Sequence, residues 1–466
     1  MGIAEALAER NHTVTFVTGF RASYSRTRIR EVFVPDTDIF SKFPNRFTTS
    51  HFSSVFQVLP LASEYCGKAI RTQELQQVQV EKFDLVMLSV VFSECLYSLI
   101  NKLQVPYIHM VPNMLLESMS DLAGNPQFPS TVGSFLLDLG HPLTFTGRMI
   151  NTLSHILYSA ITMHYIIPRM AVEGDIDTTR LRDIRLNGSL VIVNSVEMLE
   201  VPARPYVPTV IHAGGIHCRP AKPLPQDLEA WVADSGDAGF IFFTLGSVVQ
   251  TSTIPEKHRL VLLKVFASLK QRILWKWDQD TMDDLPPNVR LAKWLPQQDI
   301  LGDPRLRLFI THGGLLSTQE ATYHGIPILG MPVFVDQHHN VRQAQNEGWG
   351  RLQAWEDLTY DLLLQNIHHA INDTKMRQEA VRRSRVMRDQ PMSPREWTVY
   401  WVEYVIRHRG AYHLRSPFFT MHWYEVYNVD VWLLLTVVIV LMTCLFCWVL
   451  RRVFSRCCST TKYKKE

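Results

Sequence analysis

Residues 294–340 read WLPQQDILGDPRLRLFITHGGLLSTQEATYHGIPILGMPVFVDQHHN, and the fold turns on their centre. The apolar run Leu306–Thr311 reads as a buried strand. It ends in His312-Gly313-Gly314, and a helix is predicted over Leu315–Tyr323. A helix start after glycines presents free backbone N–H groups with no Cβ in the way, which makes a seat for a phosphate. His312 at the turn can donate to the same anion. Ser317 adds a hydroxyl in the first helical turn. Glu320, six residues past Gly314, projects beyond the phosphates, where a carboxylate suits two adjacent hydroxyls such as those of a ribose. By itself Thr-His-Gly-Gly is a weak signal, because a Gly-Gly turn into a helix also serves packing.

Neighbouring features strengthen it. Gly246-Ser247 makes a second seat after the strand pattern Phe240–Thr244. Asp336-Gln337 follows a strand pattern at Ile328–Met331 and offers acceptors and a donor for dense hydroxyls. Trp294 can stack on a flat base; the competing reading is core packing. His338-His339 suggests a metal, but no further Cys/His spacing supports it. G-x-G-x-x-G, P-loop, G-x-S-x-G and H-E-x-x-H patterns are absent.

Outward from this block, short apolar strands alternate with helical patterns. Val14–Thr18, Asp84–Ser89, Tyr107–Met110 and Leu190–Asn194 read as strands, with a helix over Glu94–Leu103. After a proline-rich stretch at 218–230, read as a linker, come Phe240–Thr244, a helical pattern over Ile254–Lys270, and strands at Ile273–Trp277, Leu306–Thr311 and Ile328–Met331. Such alternation predicts parallel sheets covered by helices, hence an α/β fold of two Rossmann-like domains facing a cleft. The chain has 466 residues, too many for one core. The expected divisions are 1–222, 223–393, a return helix and juxtamembrane segment at 394–430, a span at 431–450 and a tail at 451–466. No internal repeat is evident.

The span reads VWLLLTVVIVLMTCLFCWVL, twenty residues without a charge, long enough for one hydrocarbon core of about 30 Å. A buried core helix is the alternative. Arg451 and Arg452 stop the run, and Trp432 and Trp448 lie near its ends. The positive-inside rule places the basic tail in the cytosol and the body on the other side. The net charge is +3, and the last 16 residues carry more than all of it. The near-neutral body argues against a nucleic-acid partner. Of seven cysteines only Cys66, Cys95 and Cys218 precede the span, so no disulfide framework is implied. Cys457 and Cys458 are palmitoylation candidates. Sequons stand at Asn11, Asn187 and Asn372. Lys462 and Lys464 match a dilysine retrieval pattern of endoplasmic reticulum membrane proteins. Met1–Arg10 lacks the apolar region of a signal peptide.

Together, Gly246-Ser247, Trp294-Leu-Pro-Gln297, Thr311-His-Gly-Gly-Leu-Leu-Ser-Thr-Gln-Glu320, Asp336-Gln337 and Asn340 resemble the UDP-glycosyltransferase signature, and HGGLLSTQE resembles its arthropod branch. The resemblance covers most of the chain and implies the GT-B fold. It implies that Trp294 stacks on uracil and that Gln297 and Glu320 hold the ribose. Ser247, His312, Gly314 and Ser317 would cradle the diphosphate, and Asp336 and Gln337 the sugar. Leu316 stands where many relatives carry Asn, which removes one phosphate contact. The implied activity is transfer of a hexose, by analogy glucose, to a hydroxyl of a small lipophilic acceptor, with inversion and without a metal or other cofactor. The implied setting is a single-pass endoplasmic reticulum membrane protein serving detoxification, with homo- or hetero-oligomers as possible partners.

The family's catalytic His stands after the first strand. Residues 1–10 match the helix that follows that strand, so the signal peptide, first strand and catalytic His have no counterpart here, and His12 matches a later element. Glu94 is the positional candidate for the acidic partner; a dipole-stabilising helix-start Glu is the competing reading. Ser89 stands at another position where relatives carry an acid. A non-catalytic UDP-sugar-binding homologue is therefore the alternative function. On this reading the 466-residue chain is inactive or poorly folded when expressed alone; robust acceptor turnover by it would contradict that expectation.

Overall fold

The computed structural model describes the chain except residues 21–25, 36, 38–46, 48–50, 135, 136, 138, 140, 141, 334, 335 and 461–466, and the side chains of 51–59 and 457–460. The dilysine pattern and the Cys457 and Cys458 side chains lie outside the described residues. Residues 1–414 form one compact unit and residues 415–466 another.

Among the described residues the first unit holds three parallel sheets. Strands β1 (Val14–Thr18) and β2 (Ile29–Phe33) pair with each other. Strands β3 (Val86–Ser89), β4 (Tyr107–Val111), β5 (Leu190–Val193) and β6 (Val210–His212) follow in sequential order in a second sheet. Among the described residues no strand is hydrogen-bonded between β1 and β3, so the two sheets do not join. They nevertheless share a core. Val14 at the start of β1, Leu85 just before β3 and Met87 on β3 pack on Ala6, Leu7, Ile108, Leu190, Ile192 and Ile211. The helix Pro394–His408, entered through a Ser393–Glu396 capping box, closes that core with Val399, Val402 and Val405. The helix packs against β6 of the second sheet and against the helix Gly2–Glu9, within the unit that runs to residue 414.

The third sheet comprises β7 (Phe240–Thr244), β8 (Arg272–Lys276), β9 (Val289–Ala292), β10 (Leu306–Thr311), β11 (Ile328–Gly330) and β12 (Gly350–Leu352). Its order is β12-β11-β10-β7-β8-β9, all parallel. Strand β7 is buried along its whole length, as a central strand covered on both faces must be. The chain winds one way from β7 and the other way from β10, so the order reverses between these neighbours. Thr244 and Thr311 lie opposite each other at their carboxyl ends. Open α/β sheets bind ligands outside the strand ends at such a reversal.

Several expected elements shift. The expected helix Glu94–Leu103 is a tight turn at Glu94–Leu96 followed by a helix at Tyr97–Leu103. The 218–230 linker ends sooner, because Gln226–Ala233 is helical and buries Leu228 and Val232. The cysteine reading is corrected: Cys66 and Cys95 form a disulfide with Cα atoms 6.0 Å apart. Twenty-nine residues separate them in sequence, and spacing alone carries no proximity.

The second unit ends in the helix Val429–Thr460, whose apolar part, Val429–Arg456, contains the expected span. None of it is buried, which removes the core-helix alternative.

Phe309 on β10 is fully buried and stacks on Phe242 of β7, centroids 5.2 Å apart. Phe309→Ala leaves a cavity beneath the strand ends and should cost about 3–5 kcal/mol. A lowered urea midpoint measures it; an unchanged midpoint would refute this packing role.

Candidate functional site

At the order reversal lies a cavity of about 880 Å³. All nine donor-site residues picked out in the sequence line it: Ser247, Trp294, Gln297, His312, Gly314, Ser317, Glu320, Asp336 and Gln337. They come from loops after β7, β9, β10 and β11, so the parallel sheet collects them by pointing every strand's carboxyl end the same way.

The centre is the His312 ring. A Cβ on Gly246 would stand 2.6 Å from His312 Nε2, and a Cβ on Gly314 also 2.6 Å. The imidazole therefore fits only because both flanking residues lack side chains. Gly246 takes φ +80°, which favours glycine besides. Burial, then Lys276, pushes the imidazole down to about 4, so it is neutral at pH 7 and donates one N–H. Gly314 caps the helix Leu315–His324, and the first ladder bond there is Thr318 N–H to Gly314 O. The preceding N–H groups face outward from the ladder, beside His312, in the manner of an anion seat.

One turn further on, Gln297 Nε2 donates to Glu320 Oε2 and lies 3.1 Å from Ser317 Oγ. Burial pushes the Glu320 carboxyl up, opposed by hydrogen bonds from Gln297 and Gln298. His217 Nε2 stands 3.7 Å from Glu320 Oε1 and 3.2 Å from Leu316 O. Its imidazole is pushed toward neutrality by burial. Ser317 Oγ, expected at the diphosphate, accepts from Gln297 Nε2.

Trp294 is 77% exposed and lines the cavity, so the core-packing alternative does not hold. Lys276 Nζ lies 5.2 Å from its ring centroid and donates to Gly246 O at 2.9 Å. At the other end, Asp336 opens the helix Gln337–Asn346. Asn340 Nδ2 donates to both Asp336 Oδ2 (2.8 Å) and Gly313 O (3.0 Å), tying the acid to the glycine turn. Gln337 Oε1 accepts from Val333 N–H. His338 and His339 belong to no group of metal-holding side chains among the described residues.

Glu94 does not line the cavity. It sits at the Glu94–Leu96 turn, with Oε2 sealed from solvent and unpartnered, and burial pushes its carboxyl up to about 7. Ser89 is exposed at the end of β3. His12 lies 3.2 Å from Glu403 on the return helix, and it too is outside the cavity lining.

Sequence reasoning missed several lining residues. The first half contributes Pro112, Asn113 and Asn194, and the second Lys276 and Gln298. A lysine closing the buried strand ILWK was a readable signal, because a charge at a parallel strand's carboxyl end belongs in a ligand crevice. Gln319 had no signal. It donates to Asn194 O (2.9 Å) and accepts from Gly215 N–H (3.1 Å), joining the Glu320 helix to the other half.

A pair of Rossmann-like halves around a glycine-lined cavity makes an α/β protein of two facing halves. The architecture is that of GT-B glycosyltransferases: a UDP-glucosyltransferase from Polygonum tinctorium superposes with a TM-score of 0.57 at 16% identity, covering 88% of this chain and 94% of that one. The chain also matches the family model described as "UDP-glucoronosyl and UDP-glucosyl transferase" over residues 3–464. It belongs to the UDP-glycosyltransferase family, whose members are transferases. It is 33% identical to UDP-glucosyltransferase 2 of Dactylopius coccus, over 96% of this chain and 88% of that protein. It is 32% identical to UDP-glucuronosyltransferase 2C1 of Oryctolagus cuniculus, over 81% and 74%.

Two outcomes test the central ring. Gly314 has φ −60° and ψ 142°, which alanine adopts freely, so Gly314→Ala acts only through its clash with His312. UDP affinity, measured calorimetrically, should fall at least about tenfold, roughly 1.4 kcal/mol; unchanged affinity would remove the His312 seat. The folded imidazole titrates near 4 and the unfolded one near its ordinary value of about 6.5. Its contribution to stability is therefore complete above pH 6.5 and lost as pH falls toward 4. His312→Gln should lose less stability than the parent chain between pH 7 and 4.5 by urea unfolding; an equal loss would contradict the depressed value.

Proposed function

We propose that this chain transfers a hexose, glucose in the first instance, from UDP-sugar to a hydroxyl of a small lipophilic acceptor, inverting the anomeric carbon without a metal ion. The observation that carries the reading is the single cavity that unites Trp294, the Gln297–Glu320 pair, the His312-Gly313-Gly314 turn and Asp336. In that order they suit a base, a ribose, a diphosphate and a sugar.

In the proposed step the acceptor hydroxyl attacks C1 through its oxygen as the bond from C1 to the diphosphate oxygen breaks, and the hydroxyl proton passes to solvent water. UDP departs with the electron pair. The outward N–H groups at Gly314–Ser317 and the neutral His312 meet its developing charge. Glucose rather than glucuronate is supported by Asp336 at the sugar end, because a second carboxylate there repels it. The two cations lining the cavity are already engaged: Arg219 by Asp299, Lys276 by Gly246 O. The arthropod relative named as a glucosyltransferase supports the same choice.

A second reading, binding of UDP-sugar without turnover, is favoured by one observation. Among the described residues the first half lines the cavity with Pro112, Asn113 and Asn194, none of them a base.

We also propose an endoplasmic reticulum membrane protein with a lumenal body. Arg451 and Arg452 beside the span, the Cys66–Cys95 disulfide and exposed sequon residues Asn11, Asn187 and Asn372 support that placement.

Binding and turnover separate the readings. The chain should bind UDP, and Trp294→Ala or Glu320→Gln should weaken binding about 10–100-fold, roughly 1.4–2.7 kcal/mol. No UDP binding would overturn both readings. In a donor screen over lipophilic phenols, product from UDP-glucose supports the transferase; preference for UDP-glucuronate contradicts the glucosyl assignment.

A further inference from the structure

Residues 213–222 carry the chain from the first half toward the second, and they are stitched to the two helices that hold Gln297 and Glu320. Gly215 N–H donates to Gln319 Oε1 at 3.1 Å. Arg219 N–H donates to Gln298 Oε1 at 2.8 Å, and Gln298 Nε2 donates back to the His217 carbonyl at 3.1 Å. The Arg219 guanidinium and the Lys222 N–H both donate to Asp299. Gln298 and Asp299 belong to the helix Gln297–Leu301, and Gln319 belongs to Leu315–His324. Each helix therefore grips the crossing with the sequence neighbours of its own site residue.

One residue of the crossing reaches the site pair itself. The His217 side chain is 19% exposed, with Nε2 3.2 Å from Leu316 O, 3.7 Å from Glu320 Oε1 and 3.9 Å from Cys218 Sγ. A carbonyl only accepts, so Nε2 carries the proton. Nδ1, sealed from solvent and without a partner, is then the bare nitrogen. A second proton there would be a buried N–H with no acceptor. Burial accordingly pushes this imidazole down, and His217 is a neutral donor. It does not line the donor cavity, whereas Gln297 and Glu320 do.

A carboxylate offers about four lone-pair sites, two on each oxygen. Gln297 Nε2 takes one on Oε2. His217 stands against Oε1, just beyond hydrogen-bond length, where a small turn of the carboxylate closes the contact. One site is left on each oxygen, which matches two hydroxyls on adjacent carbons. Held at Oε2 alone, the carboxylate could turn about its soft terminal torsion and lose that match.

We propose that His217 is a positioning residue for ribose recognition: paired against Gln297, it fixes the plane of the Glu320 carboxylate so that both oxygens face the 2′ and 3′ hydroxyls together. This rests on the reading of Glu320 as the ribose carboxylate. The choice between ribonucleotide and deoxyribonucleotide donors then depends on a residue behind the cavity, on the segment that joins the halves.

The test is calorimetric affinity of the full chain, in detergent micelles, for UDP and for 2′-deoxy-UDP. The parent should favour UDP by about tenfold or more, as a hydroxyl held by a carboxylate implies. His217→Phe keeps a ring and removes the donor. It should weaken UDP about fivefold or more and leave 2′-deoxy-UDP within about twofold, because a single hydroxyl can follow a turned carboxylate. His217→Gln, whose Nε2 can stand where the ring's does, should keep the parent preference. If the phenylalanine variant does not fold, His217→Asn replaces it, since its shorter amide does not reach Glu320. Added to Glu320→Gln, His217→Phe should change neither affinity further, because both act through one group. Equal weakening of the two nucleotides by His217→Phe would mark a role in the fold alone and would overturn the proposal. So would a ribose preference that survives it; either result sinks this inference and leaves the donor site standing. A parent chain that binds no UDP, or binds UDP and 2′-deoxy-UDP equally, would overturn the reading of Glu320 and this inference with it.

Discussion

One steric condition underlies the donor seat: an imidazole ring fills the space that two side chains would otherwise occupy. Gly246 opens the loop after β7 and Gly314 caps the helix after β10, and both meet His312 at distances no Cβ tolerates. The ring thereby stands beside the outward N–H groups of a helix start, with its charge suppressed by burial. A neutral donor and a set of backbone dipoles suit an anion without burying a cation at the turn itself. Gly313 serves the same turn from behind, where φ +82° and the proximity of Val341 leave room for no side chain.

That condition is met because of topology. Neighbouring strands that diverge in chain direction open a crevice at their carboxyl ends, and the two glycine loops emerge there side by side. The remaining donor-site groups are fastened to this frame. Asn340 links Asp336 to the glycine turn, Gln297 links Glu320 to Ser317, and Gln319 carries the same helix across to Asn194 and Gly215. Arg219, bidentate on Asp299, pins the connecting segment to the second half. The first half is assembled differently. Among the described residues its strands lie in two sheets that share apolar residues but no strand pairing, so packing with Pro394–His408 joins what backbone pairing does not.

Legibility followed the range of the forces involved. Strands β7 and β10 are continuous apolar runs, and the glycine turns are local signals, so these elements and the lining residues beside them could be read from the chain. Edge strands could not: β9 is VRLA and β12 is GRL, short and interrupted by charge. Strand β2, IREVF, alternates too weakly to stand apart from loop. The Cys66–Cys95 pairing, the reach of Gln319 and the position of Lys276 beside Trp294 depend on tertiary proximity. The helix Phe145–Ile161, which buries Asn151 and His155, was missed for another reason. Its apolar period is present, but its buried face is polar, and only surface exposure distinguishes the two faces.

Hydrogen exchange at single-residue resolution tests the central claim most directly. The amides of Gly314, Leu315, Leu316 and Ser317 precede the first ladder bond of their helix and should exchange readily in the chain alone. Saturating UDP should slow these amides together with those after Gly246, leaving the later turns of the helix unchanged. Exchange at 314–317 that is already slow without UDP, or that stays fast while UDP is bound, would contradict a diphosphate held by this helix start.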